Sequence, residues 1–257
     1  MMTNRFFKLL KKTVTKTKLS LFGALVLSTW QVNAQTVSLY SFSQSAGTYT
    51  VLTNPLNIAV ATASSGAGFL DENVYTLDNV IPFQFSFNGS SYNSVKVHAN
   101  GFISFGATTS NSTDPISSGL AYSVVISPLG ADLASMFAIN NLTSSIDYSV
   151  IGTAPNREFV VQWSHFRPYS SNPTANSYHD WSFQARLHEN GTIKYVYNLS
   201  SQGAPSATNA KVGLRGTASN DYVNRTASGN TSSNWNNSTA GTNSSSGIAT
   251  NYNFLPF

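Results

Sequence analysis

Chemistry needs nucleophiles, acid–base pairs or metal ligands at workable spacing, and this sequence supplies few of them. There is no Cys among its 257 residues, which excludes thiol catalysis and thiolate metal sites. No G-x-S-x-G elbow, H-E-x-x-H pattern or Walker loop occurs. The carboxylates beyond residue 34 are Asp71, Glu72, Asp78, Asp114, Asp132, Asp147, Glu158, Asp180, Glu189 and Asp221. Glycoside hydrolysis would need two of them about 5 to 9.5 Å apart, one with a raised pKa. Several have a local explanation instead: Glu189 precedes an Asn-Gly turn, Glu158 follows Arg157 at a strand start, and Asp114 precedes Pro115. The protein is expected not to be an enzyme, and a hidden carboxylate pair is the one route by which it would be.

Two clusters are better placed to bind than to react. Asp71, Glu72, Asn73 and Asp78 fall within eight positions, the density of oxygen ligands that a loop-bound hard cation wants. With Asp132 added where loops meet, they form a candidate structural calcium site at Asp71, Glu72, Asp78 and Asp132. The alternative is a solvated acidic turn. The segment SHFRPYSSNPTANSYHDW reads as a loop between two core strands. It gathers His165, Phe166, Arg167, Tyr169, Tyr178 and His179, a composition that suits recognition from a rigid scaffold. His165, Arg167, Tyr169, Tyr178 and His179 are the candidate ligand-binding residues. His165 and His179 could also meet near Asp180, but no third metal ligand has a meaningful spacing. His98 and His188 alternate onto polar strand faces and are expected to be exposed.

The elements that must position these residues are strands. In IPFQFSF, Phe83, Phe85 and Phe87 share one face while Gln84 and Ser86 share the other. Asn88-Gly89 then turns the chain into Tyr92 to Ala99, and Asn100-Gly101 turns it into FISF. The clearest pair is WSFQARLHENGTIKYVY, where Trp181, Phe183, Ala185 and Leu187 point one way. Asn190-Gly191 returns the chain to Ile193, Tyr195 and Tyr197. REFVVQW before it puts Phe159, Val161 and Trp163 on a common face, so three antiparallel strands with one apolar side are expected. Trp163 and Trp181 therefore read as core. ADLASMFAI at 131–139 is the only helical piece anticipated. Residues 217–250, rich in Ser, Thr, Asn and Gly, read as a long surface loop pinned by Trp235, with YNFLPF returning as a strand.

Charge locates the chain. The composition gives a net charge of +4, and only 9% of residues are charged. Arg5, Lys8, Lys11, Lys12, Lys16 and Lys18 precede an apolar run from Leu19 to Trp30, and Val32 and Ala34 suit cleavage before Gln35. Residues 1–34 thus read as a secretory signal peptide, its apolar run shorter than the roughly 20 residues that span a bilayer. Six of the 14 basic residues and none of the 10 acidic ones lie there, so residues 35–257 carry eight against ten. That balance of −2 leaves no basic stripe for phosphates, and nucleic-acid partners are excluded. No later segment suggests a transmembrane helix. An exported chain without disulfides must be stabilised by a packed core, and 35–257 is long enough for one domain.

The run LDENVYTLDNVIPFQFSFNGSSYNSVKVHANGFISFG resembles the N-terminal β-sandwich module of secreted or surface Bacteroidetes proteins exported by the type IX pathway. VISPLGADL, APNREFVVQW, FQARLHENGTIKYVY, KVGLRGTASNDYVNRT and YNFLPF follow in the order that resemblance expects. VKVHANGFISFG with VISPLGADL also resembles the nidogen-type extracellular module. The resemblance implies attachment to fibronectin-type repeats, enzymes or a sorting domain, and no established chemistry. Where such relatives carry Trp-Asp-Asp, this chain has Gly130-Ala131-Asp132, so Asp132 alone carries over.

The reading is an all-β, antiparallel two-sheet sandwich, jelly-roll-like and with little helix. It would serve as an exported, non-enzymatic module of cell-surface adhesion or extracellular recognition, secreted or held at the cell surface. A carbohydrate-binding module accompanying a polysaccharide-degrading enzyme is the alternative, and a glycan hydrolase a further one. No cofactor is expected apart from calcium, and the partner is an extracellular glycan or surface protein.

Overall fold

Segments that alternate aromatic or β-branched with polar residues form strands because each can turn one face to a shared apolar interior. A computed structural model describes residues 36–45, 48–107, 113–116, 124–202, 210–218, 220–224 and 251–255. The chain divides into two units, 1–34 and 35–257, and the signal-peptide reading and Trp235 fall outside the described residues. After a short 3-10 turn at Val37–Leu39 come β1 (Ser41–Ser45), β2 (Leu56–Val60), β3 (Val74–Leu77), β4 (Phe85–Phe87), β5 (Ser90–Tyr92), β6 (Val95–His98), β7 (Phe102–Phe105) and β8 (Val124–Gly130). There follow β9 (Leu133–Ser135), β10 (Ser145–Ile151), β11 (Glu158–Pro168), β12 (Tyr178–His188), β13 (Ile193–Gln202), β14 (Lys211–Arg215), β15 (Tyr222–Asn224) and β16 (Asn251–Leu255).

One sheet runs β1-β16-β13-β12-β11-β10-β2, with β9 paired beyond a bulge in β11, and a second runs β15-β14-β8-β7-β6-β3. All pairings are antiparallel. The two sheets make a β-sandwich. Phe85, Phe87, Val95, Val97 and Phe105 meet Phe159, Val161, Trp163, Phe183 and Leu187 in one buried cluster. Burying each such side chain contributes about 1.5–3 kcal/mol. Buried aromatics also tie the layers through their polar ends: Trp163 Nε1 donates to the His98 carbonyl at 2.9 Å, and Tyr195 Oη to the Gly213 carbonyl at 2.9 Å.

The expected β11–β12–β13 meander is present in the expected register, with Trp163 opposite Phe183 and Ala185 opposite Tyr195. Asn88 and Gly89 both take positive φ, 50° and 78°, as a tight hairpin turn requires. That hairpin, β4–β5, is a separate two-stranded sheet. The segment 92–99, read as one strand, breaks at Asn93-Ser94 so that β6 can join the second sheet.

Three expectations are corrected. ADLASMFAI is not helical: Leu133–Ser135 is β9, paired with Phe166–Pro168 of β11. Nine uncapped residues fall short of the length at which a helix sustains itself, while β11 offers unpaired backbone there. Residues 222–224 of the supposed 217–250 loop form β15 against β14. His98 is fully buried, its Nε2 2.8 Å from Ser104 Oγ and its ring stacked 3.9 Å from Phe102. The outer face it occupies is covered by a second apolar cluster of Phe102, Ile116 and Val125. The returning strand at the C-terminus is present as β16.

Candidate functional site

At one end of the sandwich, turns distant in sequence are drawn together by a single side chain. Asn100, fully buried in the β6–β7 turn, accepts from the Leu133 amide at its Oδ1 (3.0 Å) and directs its Nδ2 at both Glu72 carboxylate oxygens (3.4 and 3.5 Å). Its carbonyl accepts from Ala131, and Ser135 and Leu70 exchange backbone and hydroxyl hydrogen bonds. Gly101 allows this approach: its φ is +78°, and a Cβ there would lie 2.5 Å from the Leu129 carbonyl.

The result places Asp71, Glu72 and Asp132 so that one ligand oxygen from each lies within 4.8 Å of the others. Three carboxylates in that space repel. The Asp71 carboxyl is pushed up to about 6, first by burial, then by the charges of Glu72 and Asp132, with Arg167 pulling the other way. Asp132 is raised by burial and then by Glu72. Asp71 Oδ1 is a buried oxygen with no hydrogen-bond partner among the described residues. Asp78 does not join this group. It follows β3, whose four residues span about 13 Å, and it lines a separate groove with Thr76, Tyr92 and Lys96.

The segment read as one recognition loop is half strand. β11 extends to Pro168 and β12 begins at Tyr178, so only residues 169–177 connect them. Arg167 is 8% exposed and donates to the carbonyls of Ser135, Pro168, Tyr169 and Ser171, with its guanidinium 5.7 Å from the Phe69 ring. Its role in the geometry is to hold the connecting loop onto the acidic turn. Tyr169, 51% exposed, sits beside the acidic group, its backbone N–H donating a hydrogen bond to the Asp132 carbonyl at 2.9 Å. The acidic cluster and part of the aromatic segment, two separate expectations, thus meet at one end of the fold.

His165 and His179 do not meet. The register of β11 against β12 shifts between Trp163 and Phe166, and His165 takes a φ of 61° in that bulge. Such a bulge keeps Trp163 and Phe166 both facing the core and re-aims the two residues between them, Ser164 and His165. His165 Nδ1 consequently lies 2.8 Å from Asp180 Oδ1. His179, one position from Asp180, points to the opposite face, is 3% exposed and sits edge-on to Trp181 at 5.1 Å. Burial, then the Arg167 charge, lowers its pKa. Tyr178 is half-buried at the start of β12.

Asn100 is the positioning residue that sequence reasoning missed; the Asn-Gly pair was read as a turn signal, and nothing in its spacing pointed to Glu72 or Leu133. No helix among the described residues is long and apolar enough to cross a membrane. No curated protein and no solved structure matches the chain. The family described as NIDO related matches residues 39–256, from the 3-10 turn through β16, in keeping with the nidogen-type resemblance; the chain belongs to that NIDO-related family.

Proposed function

We propose that the protein is an exported, non-enzymatic module for cell-surface adhesion or extracellular recognition, with residues 1–34 removed as a signal peptide and 35–257 acting as one domain. The observation that carries this is family membership over 39–256, which supports an extracellular-type module. The finer reading is a surface protein of the Bacteroidetes kind, exported by the type IX pathway, whose partner is a glycan or another surface protein. Of His165, Arg167, Tyr169, Tyr178 and His179, exposed Tyr169 and half-buried Tyr178 are the proposed ligand contacts and Arg167 is the residue that fixes the loop, while His179 is buried on the face opposite His165.

A glycan array decides between adhesion to a protein and the carbohydrate-binding alternative. Tight binding to one polysaccharide, reduced at least tenfold by Tyr169→Ala or Tyr178→Ala, would establish the carbohydrate reading. Silence across the array would direct the search to surface proteins.

We also propose a structural calcium ion held by Asp71, Glu72 and Asp132. Three converging carboxylates, one with a buried unpartnered oxygen, suit a hard cation of oxygen preference. An ion bound only by the folded state raises the melting midpoint. Calcium should therefore raise it, by about 2–4 °C for each kcal/mol of binding linkage, and chelator should reverse the rise; an unchanged midpoint at millimolar calcium would sink the proposal. The hydrolase alternative would need a carboxylate pair about 5 to 9.5 Å apart, wider than the 4.8 Å within which these three oxygens fall. Polysaccharide turnover by the purified protein, abolished by Asp71→Asn, would overturn the non-enzymatic reading.

A further inference from the structure

A groove opens on the outer face of the larger sheet. Residues 48–53 cross that face as a strap. Gln184 Nε2 donates to the Thr50 carbonyl at 2.8 Å, and the Leu52 amide donates to Gln162 Oε1 at 3.0 Å. Both glutamines are buried, 0% and 2% exposed, and they bond each other at 2.7 Å. The strap is therefore fixed by satisfied amides rather than by apolar contact alone. Beside it opens a groove of about 310 Å³ lined by Thr50, Val51, Thr53, Ile151, Arg186 and Lys194, a volume at the lower end of small-ligand sites, roughly 300–1,000 Å³.

Charge gives the groove its character. Arg186 and Lys194 are directly opposite each other on β12 and β13, and like charges in that relation destabilise a sheet. Arg186 is held rigid: Nε and Nη2 bond Gln184 Oε1 at 2.9 and 2.7 Å, and Nη1 bonds Glu158 Oε2 at 3.2 Å. Glu158 is shared with His188, whose Nδ1 is 3.6 Å from Oε1. That carboxylate is thus spent on two partners, and Lys194 has no carboxylate partner among the described residues. A locally positive, preorganised groove stands on a domain whose overall charge is negative.

We propose that this groove binds a small carboxylate ligand, with Lys194 and Arg186 facing the anion and the strap threonines meeting its hydroxyl or backbone neighbours. Carboxylates come as sugar acids or as simple organic acids, and three probes separate the sources: galacturonate, acetate and neutral galactose, titrated into the isotope-labelled protein while backbone amide signals are followed. Galacturonate and acetate should both shift the amides of Thr50, Val51 and Lys194, and galactose should not. Galacturonate binding more tightly than acetate would identify a sugar-acid site, and equal affinities a simple-carboxylate site; both support the proposal. Lys194→Gln should weaken carboxylate binding about tenfold, and Lys194→Arg should restore most of it with an unchanged melting midpoint. Galactose shifting the same amides equally, no shift with any probe at tens of millimolar, or an unaltered affinity in Lys194→Gln would overturn it. Loss of polysaccharide binding in the Tyr169 variant with carboxylate binding intact would keep this site distinct from the recognition region proposed above.

Discussion

The carboxylate end and the cationic groove are mirror cases of the same problem. Asp71, Glu72 and Asp132 put three acids within one ion's reach; Arg186 and Lys194 put two bases side by side. The acids are collected by turns from two separate parts of the chain, 71–72 and 132, held by the hydrogen bonds of one buried Asn. The bases are neighbours because two consecutive strands pair in register. The first arrangement depends on a few long-range contacts and the second on a hairpin. Like charge is thus concentrated either by loop convergence, which one substitution can scatter, or by strand register, which is far harder to undo.

The sharpest way to break the symmetry is Asn100→Ala. It leaves the Leu133 amide without its partner and removes the amide that faces Glu72, at a cost of about 2–3 kcal/mol, or a melting midpoint lower by roughly 5–10 °C. Calcium response should vanish while carboxylate binding at the groove persists. The matching change on the sheet, Gln184→Ala, should cost less, about 1–2 kcal/mol, because register survives; its signature is faster amide exchange at Leu52 with the calcium response intact. Equal damage to both sites by either variant would show that they are not independent.

A smaller effect separates them by pH. Asp71 is raised to about 6 from its unfolded value of 3.8, so the folded state holds the proton more tightly. Its stabilising contribution is complete below about 3.8 and is lost as pH rises through about 6. Measured in chelator as the difference between the protein and Asp71→Asn, the midpoint should fall across that window. Calcium should oppose the fall, since the ion needs the ionised form. Smallest of all, Asp78→Asn should leave the calcium response unchanged, because that residue lies at the opposite end of β3 from Asp71 and Glu72; a lost response would return it to the acidic group.

How much was legible varies with the range of the interaction. The hairpins of β11, β12 and β13 follow from alternation and Asn-Gly turns, and Trp163 and Trp181 fell where alternation put them. Arg186 opposite Lys194 could also be read from that hairpin, because its register follows from the turn. The placement of His98 could not, since its exposure depends on whether Ile116 and its neighbours cover the sheet. Nor could β9, whose residues lack a strong preference and take strand form where β11 offers an edge. His165 was displaced by a bulge that no local signal marks.

Composition, alternation and turn chemistry alone determined an all-β sandwich without thiol chemistry, with a basic leader-like segment at 1–34 and a mildly acidic remainder. Period and turn preference are properties of adjacent residues, so they survive in the string. Tertiary structure alone decided that Asp132 joins Asp71 and Glu72, that Asp78 does not, and that Arg167 is buried as a clamp. Those outcomes rest on contacts between residues tens of positions apart, and on burial, which belongs to the packed whole rather than to any segment of it.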